Sequence, residues 1–335
     1  MSYRVTDKQF RSLSDDRPSV TLTFVACLLC WVLCYVYSTG FPPEKDEMTM
    51  PLWALAGRFF SNGLFACSAG LFMATVVAYV MQRICDMEML IQRRTRLPFM
   101  LLLLLISTNV GLLPVKEVTV ISVCFVFVLY ELFKTYQSPV AAGVFFNVGA
   151  LTGFAGLFMP QVLWFIPLLW MGMYRFRSLS LKNFMGLLAG VFTVYWIVSA
   201  WCLWKHDYYM FVSLYNGLTN FKILPAEIFQ YDRMGFFVFL LFFVLSFFHV
   251  RMDMYNNRVR VHRILSFLLD MSVWSLLLVL LYGDDSESFQ MLLYLPSSVL
   301  IAYFLENIGR RWRFVLYYLM LLSWLASFIL RIWRF

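Results

Sequence analysis

The chain has 335 residues, of which 61% are hydrophobic and 14% are charged. Ordinary soluble domains are about 45–50% apolar and about 25% charged, so this composition excludes a soluble enzyme. At ~20 apolar residues for each membrane-crossing helix, about eleven spans would use roughly 220 residues and leave no room for a separate folded domain. We therefore expect an all-α polytopic membrane protein with about nine to eleven transmembrane helices.

The net charge of +8 does not indicate a nucleic-acid partner. The basic residues stand in short clusters beside apolar runs, where they set the orientation of the spans in the membrane. Membrane lipids are the expected surroundings of the chain, and other membrane proteins are candidate partners.

The amino-terminal segment 1–19 is a polar tail, and an apolar run from Val20 to Ser38 follows it. The run is longer than the ~7–15 residues of a secretory signal core and no A-x-A-like site follows, so we predict an uncleaved first span. Residues 20–335 then form a single transmembrane domain. Further spans are predicted at about 59–82, 97–113, 118–133, 139–158, 161–174, 183–204, 234–250, 264–282, 289–305 and 314–330.

The distribution of charge predicts which side each loop faces. With the amino terminus in the cytoplasm, the inward segments collect 19 of the 27 Lys and Arg residues, and the outward segments hold ten of the 19 acids. This is the positive-inside pattern of a multi-pass membrane protein. Arg331 and Arg334, on the outward tail, depart from it.

Two pairs of predicted spans are short, namely 97–113 with 118–133 and 139–158 with 161–174. Each pair is consistent with two crossings or with a re-entrant hairpin buried in protein. The loss of one pair would leave every other loop on its assigned side.

Asp270 is the one acid well inside a predicted span, six residues after Ile264 and therefore about 9 Å deep. Intramembrane acids are frequently functional. Arg263 precedes it by seven residues on the same helical stripe, which favours a structural ion pair between these two side chains. A proton or cation relay through Asp270 is the alternative.

A glycine-rich segment predicts close helix packing. Gly149 and Gly153 lie on one helical face with Asn147 nearby, and Gly186 with Gly190 offers a matching face in a later span. Small residues allow two helix backbones to approach, and an amide side chain can bond across such a contact. A ligand groove is the alternative use of this face.

The first outward loop carries three acids, Glu44, Asp46 and Glu47, ahead of Arg58. Paired outward carboxylates can act as a general base or hold a divalent cation. A solvated acidic loop is the other interpretation. If the loop is catalytic, Asp46 or Glu47 is the expected base and Arg58 a substrate contact.

The longest outward loop, 205–233, is rich in aromatic residues and contains Tyr209 and Lys222. Such a segment typically lies in the membrane interface. Its rings and its cation also suit a lipid-phosphate sugar, so Tyr209 and Lys222 are candidate substrate contacts and the loop a candidate lid.

The seven cysteines lie almost entirely within apolar runs, so we expect no disulfide framework. Cys27, Cys30 and Cys34 include a CxxC spacing, but no histidine or acid stands near them in the sequence. We therefore predict no metal site and no cofactor.

The segment from Phe145 to Ile197 carries a resemblance to a known family. It reads FFNVGALTGFAGLFMP, then Pro167-Leu-Leu-Trp170, Arg175-Phe-Arg177 and Gly186-Leu-Leu-Ala-Gly190. Over about 50 residues it resembles an uncharacterised family of Bacteroidetes-type inner-membrane proteins, which implies a multispanning architecture and no particular activity. This chain has Val194-Tyr195 where the family has a proline before the tyrosine.

A weaker similarity concerns the polytopic glycosyltransferases that use polyprenyl-phosphate sugars. They share a glycine-rich span, a proline turn and a basic flank with this chain, and they place a catalytic acid in the first outward loop. The similarity implies a polyprenyl-phosphate-linked substrate and a catalytic role for the acids at 44, 46 and 47. Their first loop is usually longer than the one here.

Three functional hypotheses follow from these features. The first is an envelope glycosyl or group transferase that uses a lipid-linked donor. The second is a transporter or flippase, suggested by Asp270, Asn109 and Asn147 within spans. The third is a non-catalytic membrane component of an envelope complex, suggested by the small-residue faces.

Overall fold

The computed structural model describes residues 17–37, 53, 60, 62–91, 95–138, 140–206, 212, 218, 234–253, 255, 258–283, 286–308 and 310–332. This part of the chain contains eleven α-helices and no β-strand. The helices are α1 (Arg17–Tyr37), α2 (Gly63–Met87), α3 (Leu97–Thr108), α4 (Glu117–Lys134), α5 (Ala142–Phe158), α6 (Ile166–Arg175), α7 (Leu181–Trp204), α8 (Met234–Asp253), α9 (Val259–Leu281), α10 (Ser286–Asn307) and α11 (Arg310–Ile332).

Every predicted span coincides with a helix to within a few residues, except that 161–174 is a 3-10 segment (Pro160–Phe165) followed by α6. In the described residues, five helices are long and apolar enough to cross a membrane by themselves: α2, α7, α8, α9 and α10. The prediction of an all-α polytopic membrane protein is confirmed.

The centre of the molecule is built from α3 and α10, which pack against each other. In α3, every residue from Leu97 to Ser107 is buried except Phe99, and α10 is buried over nearly its whole length. A helix that is apolar on all sides is stable only when neighbouring protein or lipid surrounds it completely. Here α1, α2 and α11 surround α3, whereas α4, α8 and α9 cover α10.

Two ion pairs join helix ends on one side of the molecule, which we call the basic end. Glu88, just after α2, pairs with Arg260 in the first turn of α9 at 2.7 and 2.8 Å. Arg313, in the first turn of α11, pairs with Glu306 near the end of α10 at 3.0 Å. The opposite side, where α9 ends and α10 begins, carries Glu287 and is called the acidic end.

The first short pair, α3 and α4, connects the basic end with the acidic end. Just before α3 begins, the carbonyl of Thr95 accepts a hydrogen bond from Gln82 near the basic end of α2, at 2.7 Å. Just after α3 ends, Asn109 donates to Gln290 in the first turns of α10, at 3.0 Å. The chain therefore runs from the basic end to the acidic end along α3, and α4 brings it back.

The second short pair, α5 and α6, also reaches both ends. At the basic end, the amide of Gln137 after α4 donates to the carbonyl of Phe176 after α6, at 2.9 Å. Between α5 and α6, the Trp164 indole donates to the carbonyl of Leu218, which also accepts from Tyr282 at the end of α9. Both short pairs therefore connect the basic end with the acidic end, and none of their four helices is among the five that can cross a membrane by themselves.

Candidate functional site

Five of the predicted site residues lie outside the described part of the chain. They are the predicted catalytic acids Asp46 and Glu47 and the predicted substrate contacts Arg58, Tyr209 and Lys222. Their roles remain predictions.

Asp270 forms an ion pair with a neighbouring helix, as the sequence favoured, but its partner is Arg175 at the end of α6. The two side chains make a two-pronged contact, with Nη2 of Arg175 donating to Oδ1 of Asp270 at 2.8 Å and Nε close to Oδ2. The predicted partner, Arg263, instead donates to the backbone carbonyl of Arg175. The prediction of an Arg263–Asp270 pair is therefore wrong.

Helix geometry explains the change of partner. Side chains on a helix lean toward its amino terminus, so Arg263 on α9 leans toward the basic end and away from Asp270. Because α6 runs antiparallel to α9, the side chain of Arg175 leans the opposite way, toward the middle of the molecule, and reaches the carboxylate. Nothing in the local sequence around Asp270 signals this partner, because the two residues are 95 positions apart.

The Arg175–Asp270 pair lies deep along α9. Asp270 is the twelfth residue of a 23-residue helix, roughly 16 Å from its start, because α9 begins at Val259 and not at the predicted Ile264. The side chains are 31% and 23% exposed, so the pair lies at the surface of the bundle and not in a central passage. The pair fastens α6 to α9 and neutralises two charges that would otherwise be isolated within the membrane.

The predicted packing of the two glycine faces is confirmed, since α5 and α7 form the most extensive helix contact among the described elements. A Cβ at Gly149 would overlap the backbone carbonyl of Leu187, and one at Gly190 would overlap the carbonyl of Phe146. A Cβ at Gly186 would lie 2.7 Å from the carbonyl oxygen of Ala142. Glycine is therefore needed where the two backbones touch.

Asn147 does not join this contact, contrary to the sequence expectation. It is exposed on α5, since a residue two positions from Gly149 is rotated by about 200° to the opposite face. Within the described residues it makes no hydrogen bond. One turn earlier on the same face, a Cβ at Gly143 would meet nothing within 4 Å, so this face of α5 is open.

Asn183, and not Asn147, supplies the polar contact of an amide between α5 and α7. Its side chain is buried at the start of α7, where Oδ1 accepts from the amide of Ala141 at 3.0 Å and Nδ2 donates to the carbonyl of Ser178 at 2.6 Å. It therefore joins the turn before α5 to the turn before α7. Ser180, three residues earlier, is a sequence signal for this position. A serine cap indicates the start of a helix, where backbone amides and carbonyls need side-chain partners.

A buried polar cluster lies at the acidic end, between α3 and α10. Asn109 also accepts from the amide of Gly111, and a Cβ at Gly111 would overlap the carboxylate of Glu287. Glycine thus lets the Glu287 side chain lie directly on the 3-10 turn that follows α3. The cluster ties the end of α3 to the first turns of α10.

The aromatic loop 205–233 is described only at residues 205, 206, 212 and 218. At Leu218 its backbone carbonyl accepts from Trp164 at 3.3 Å and from Tyr282 at 3.0 Å. Trp274 in turn donates to the carbonyl of Trp164 at 2.9 Å. These bonds attach the loop to the acidic ends of α6 and α9.

The cysteines of α1 belong to its packing face. Cys27, Cys30 and Cys34 are at most 3% exposed, and Trp31 between them donates to Ser107 of α3 at 3.1 Å. Among the described residues no group of three or more His, Cys, Asp or Glu side chains is placed to hold a metal ion. These thiols therefore contribute to the α1–α3 contact.

Comparison with known proteins returned no relative. No family model, no curated protein and no solved structure matches the chain.

Proposed function

We propose that the protein is a non-catalytic component of a membrane complex in the bacterial inner membrane, and that it binds a transmembrane helix of another protein on the open face of α5. The observation that carries this proposal is Asn147, an exposed amide on an otherwise apolar face of α5, with no hydrogen-bond partner among the described residues. In hydrocarbon an amide is stabilised by bonding across a helix contact, by about 0.6 kcal/mol on average and up to about 2 kcal/mol.

The residues around Asn147 suit such a contact. Gly143, one turn away, leaves room for a partner backbone to approach. Phe146 and Phe154 flank the face and are 39% and 43% exposed, so they can pack against a partner helix. The face is turned away from α7, so a second helix can bind there while the α5–α7 pair stays intact.

Co-purification of the full chain in a mild detergent tests this proposal. We expect a defined membrane partner with the unmodified chain, and loss of that partner with Asn147→Leu or Gly143→Leu. Phe192→Leu, on the exposed side of α7, is the matched control and should retain the partner. A chain that always purifies alone, or an Asn147→Leu variant that keeps every partner, would contradict the proposal.

A group transferase acting on a lipid-linked donor, such as a polyprenyl-phosphate sugar, is the second candidate. It is favoured by the hydrogen bonds that Trp164 and Tyr282 donate to the carbonyl of Leu218, because they hold this residue of the loop at the acidic end. In this candidate Asp46 or Glu47 is the base, and Arg58, Tyr209 and Lys222 contact the donor.

Alanine at Glu44, Asp46 and Glu47 tests the transferase. A transferase predicts loss of an envelope glycan in this triple variant, whereas alanine at Asp15 and Asp16, in the amino-terminal tail, should leave glycans unchanged. Unchanged glycans in the triple variant would remove this candidate.

The described helices give no support to the transporter alternative. The centre of the bundle, between α3 and α10, is filled by apolar side chains such as Leu102, Leu103, Leu293 and Leu300, all of them fully buried. Asp270 is paired with Arg175 at the edge of the bundle. A transport route would need polar groups along a central cavity.

A further inference from the structure

One strip of α9 is only partly covered: Arg263 and Asp270 are half-buried, residues 264–269 between them are buried, and Val273 and Leu277 are exposed. Both α6 and α8 pack against α9, but they do not form a packed pair with each other. On the half of this strip nearer the basic end lie Arg263 and Asp270 of α9, and Arg175 of α6 is hydrogen-bonded to both of them. Arg251, near the end of α8, is within electrostatic range of Asp270. We call this place the arginine groove.

The arginine groove carries an excess of positive charge. The Asp270 carboxylate is engaged by both prongs of the Arg175 guanidinium. Arg251 is close enough to Asp270 to interact with it electrostatically, and Arg263 donates to the carbonyl of Arg175. Within the described residues neither Arg251 nor Arg263 forms a salt bridge of its own. In this part of the chain, the groove therefore holds three arginines and one carboxylate, and the salt bridge of that carboxylate is with Arg175.

The same strip becomes apolar toward the acidic end. Val273 and Leu277 continue the line of Arg263 and Asp270 and are 46% and 43% exposed. The distance along the helix from Asp270 to Leu277 is about 10 Å. The strip thus has a cationic end at the level of the basic helix ends and an apolar floor that extends into the membrane.

We propose that the arginine groove binds an anionic phospholipid, with the lipid phosphate on Arg251 and Arg263 and an acyl chain along Val273 and Leu277. Guanidinium groups bind phosphate oxygens through charge-assisted hydrogen bonds. Basic pockets between transmembrane helices on the cytoplasmic side are suited to acidic lipid headgroups. The apolar floor favours a lipid over a soluble phosphate, because an acyl chain can pack on Val273 and Leu277 and a soluble phosphate has no such chain.

The test is a titration of the purified full chain in a neutral detergent, with bound lipid counted by native mass spectrometry. Phosphatidylglycerol should bind, and phosphatidylcholine should bind at least about tenfold more weakly. The double variant Arg251→Gln with Arg263→Gln should weaken phosphatidylglycerol binding by about tenfold or more, because each cation near the membrane surface adds to anionic lipid affinity.

The control removes the same number of charges from the same end of the molecule but away from the groove. Lys134→Gln with Lys182→Gln should leave phosphatidylglycerol binding within about twofold of the unmodified chain. If this control weakens binding as much as the groove variant, the attraction is diffuse and the proposal is wrong. Equal binding of phosphatidylcholine would overturn it as well.

Two further measurements test the ligand class and the path of the acyl chain. Inorganic phosphate should not displace the lipid, and if it binds as tightly as phosphatidylglycerol, the site belongs to a soluble anion. If the arginine variant fails to fold, Val273→Trp fills the apolar floor at an exposed position and should also weaken lipid binding. Undiminished binding in Val273→Trp would then contradict the assigned path of the acyl chain.

Discussion

Gly149 on α5 faces the backbone of Leu187 on α7 so closely that a methyl group at Gly149 would overlap the Leu187 carbonyl. The obstacle is backbone and cannot rotate away as a side chain would. We therefore expect Gly149→Ala to separate the two helices and to lower the free energy of unfolding by about 1–3 kcal/mol, which is typical of overpacking. Thermal unfolding of the detergent-solubilised chain measures this change.

Gly143→Ala is the matched control, since it places the same methyl group on the same helix in open space. Alanine is the better helix former by about 0.5–1 kcal/mol, so this variant should be as stable as the unmodified chain or slightly more stable. Equal destabilisation by the two substitutions would mean that the α5–α7 contact does not depend on the missing side chain at Gly149.

Removal of either partner of the Arg175–Asp270 pair should destabilise the fold more than removal of both. Asp270→Asn leaves the Arg175 guanidinium without a counter-charge deep along α9, and loss of one partner of a buried pair costs up to about 3–5 kcal/mol. The pair here is partly exposed, so we expect a smaller loss of about 1–3 kcal/mol. The double variant Asp270→Leu with Arg175→Leu should regain most of it.

A double-mutant cycle on detergent-solubilised protein provides the measurement. Coupling between the two positions supports a structural ion pair. If instead Asp270→Asn folds with unchanged stability and abolishes a biological activity, Asp270 acts as a relay and the structural interpretation fails.

The sequence was sufficient to predict the helices and the glycine contact, because both depend on local patterns. Apolar runs of the right length identify spans, and Gly149, Gly153, Gly186 and Gly190 show helical spacing that is visible without the fold. The partner of Asp270 could not be predicted from a local sequence pattern. It depends on α6 running antiparallel to α9, so that a residue 95 positions away leans toward the carboxylate.

The roles of Asn147 and Asn183 also could not be predicted from the local sequence. Both are amides close to the glycine faces, and Asn147 lies nearer to Gly149 in the sequence than Asn183 does. Their roles were decided by rotation about the helix axis and by the turns before α5 and α7, which place Asn183 among backbone groups and Asn147 on the outside.

Asn183→Leu should therefore be costly and Asn147→Leu nearly neutral for folding. The first leaves the amide of Ala141 and the carbonyl of Ser178 without the bonds that Asn183 provides. A buried polar group left without its bond costs about 1–3 kcal/mol. Thermal unfolding of the two variants side by side provides the comparison. A stable Asn183→Leu variant would show that other groups satisfy these two backbone atoms.

The orientation of the bundle is open to a direct test with two introduced cysteines. Val140 lies in the turn before α5 at the basic end and is 81% exposed, whereas His206 follows α7 at the acidic end and is also exposed. The native thiols that the structure describes are mostly buried, so they should react slowly. Because basic loops resist translocation, the basic end should face the cytoplasm.

A membrane-impermeant maleimide added to intact spheroplasts should then label His206→Cys at once, and Val140→Cys only after the membrane is permeabilised. The reverse order of labelling would place the basic end outside, and the arginine groove would then face the outer leaflet, where the cytoplasmic-side lipid argument no longer applies.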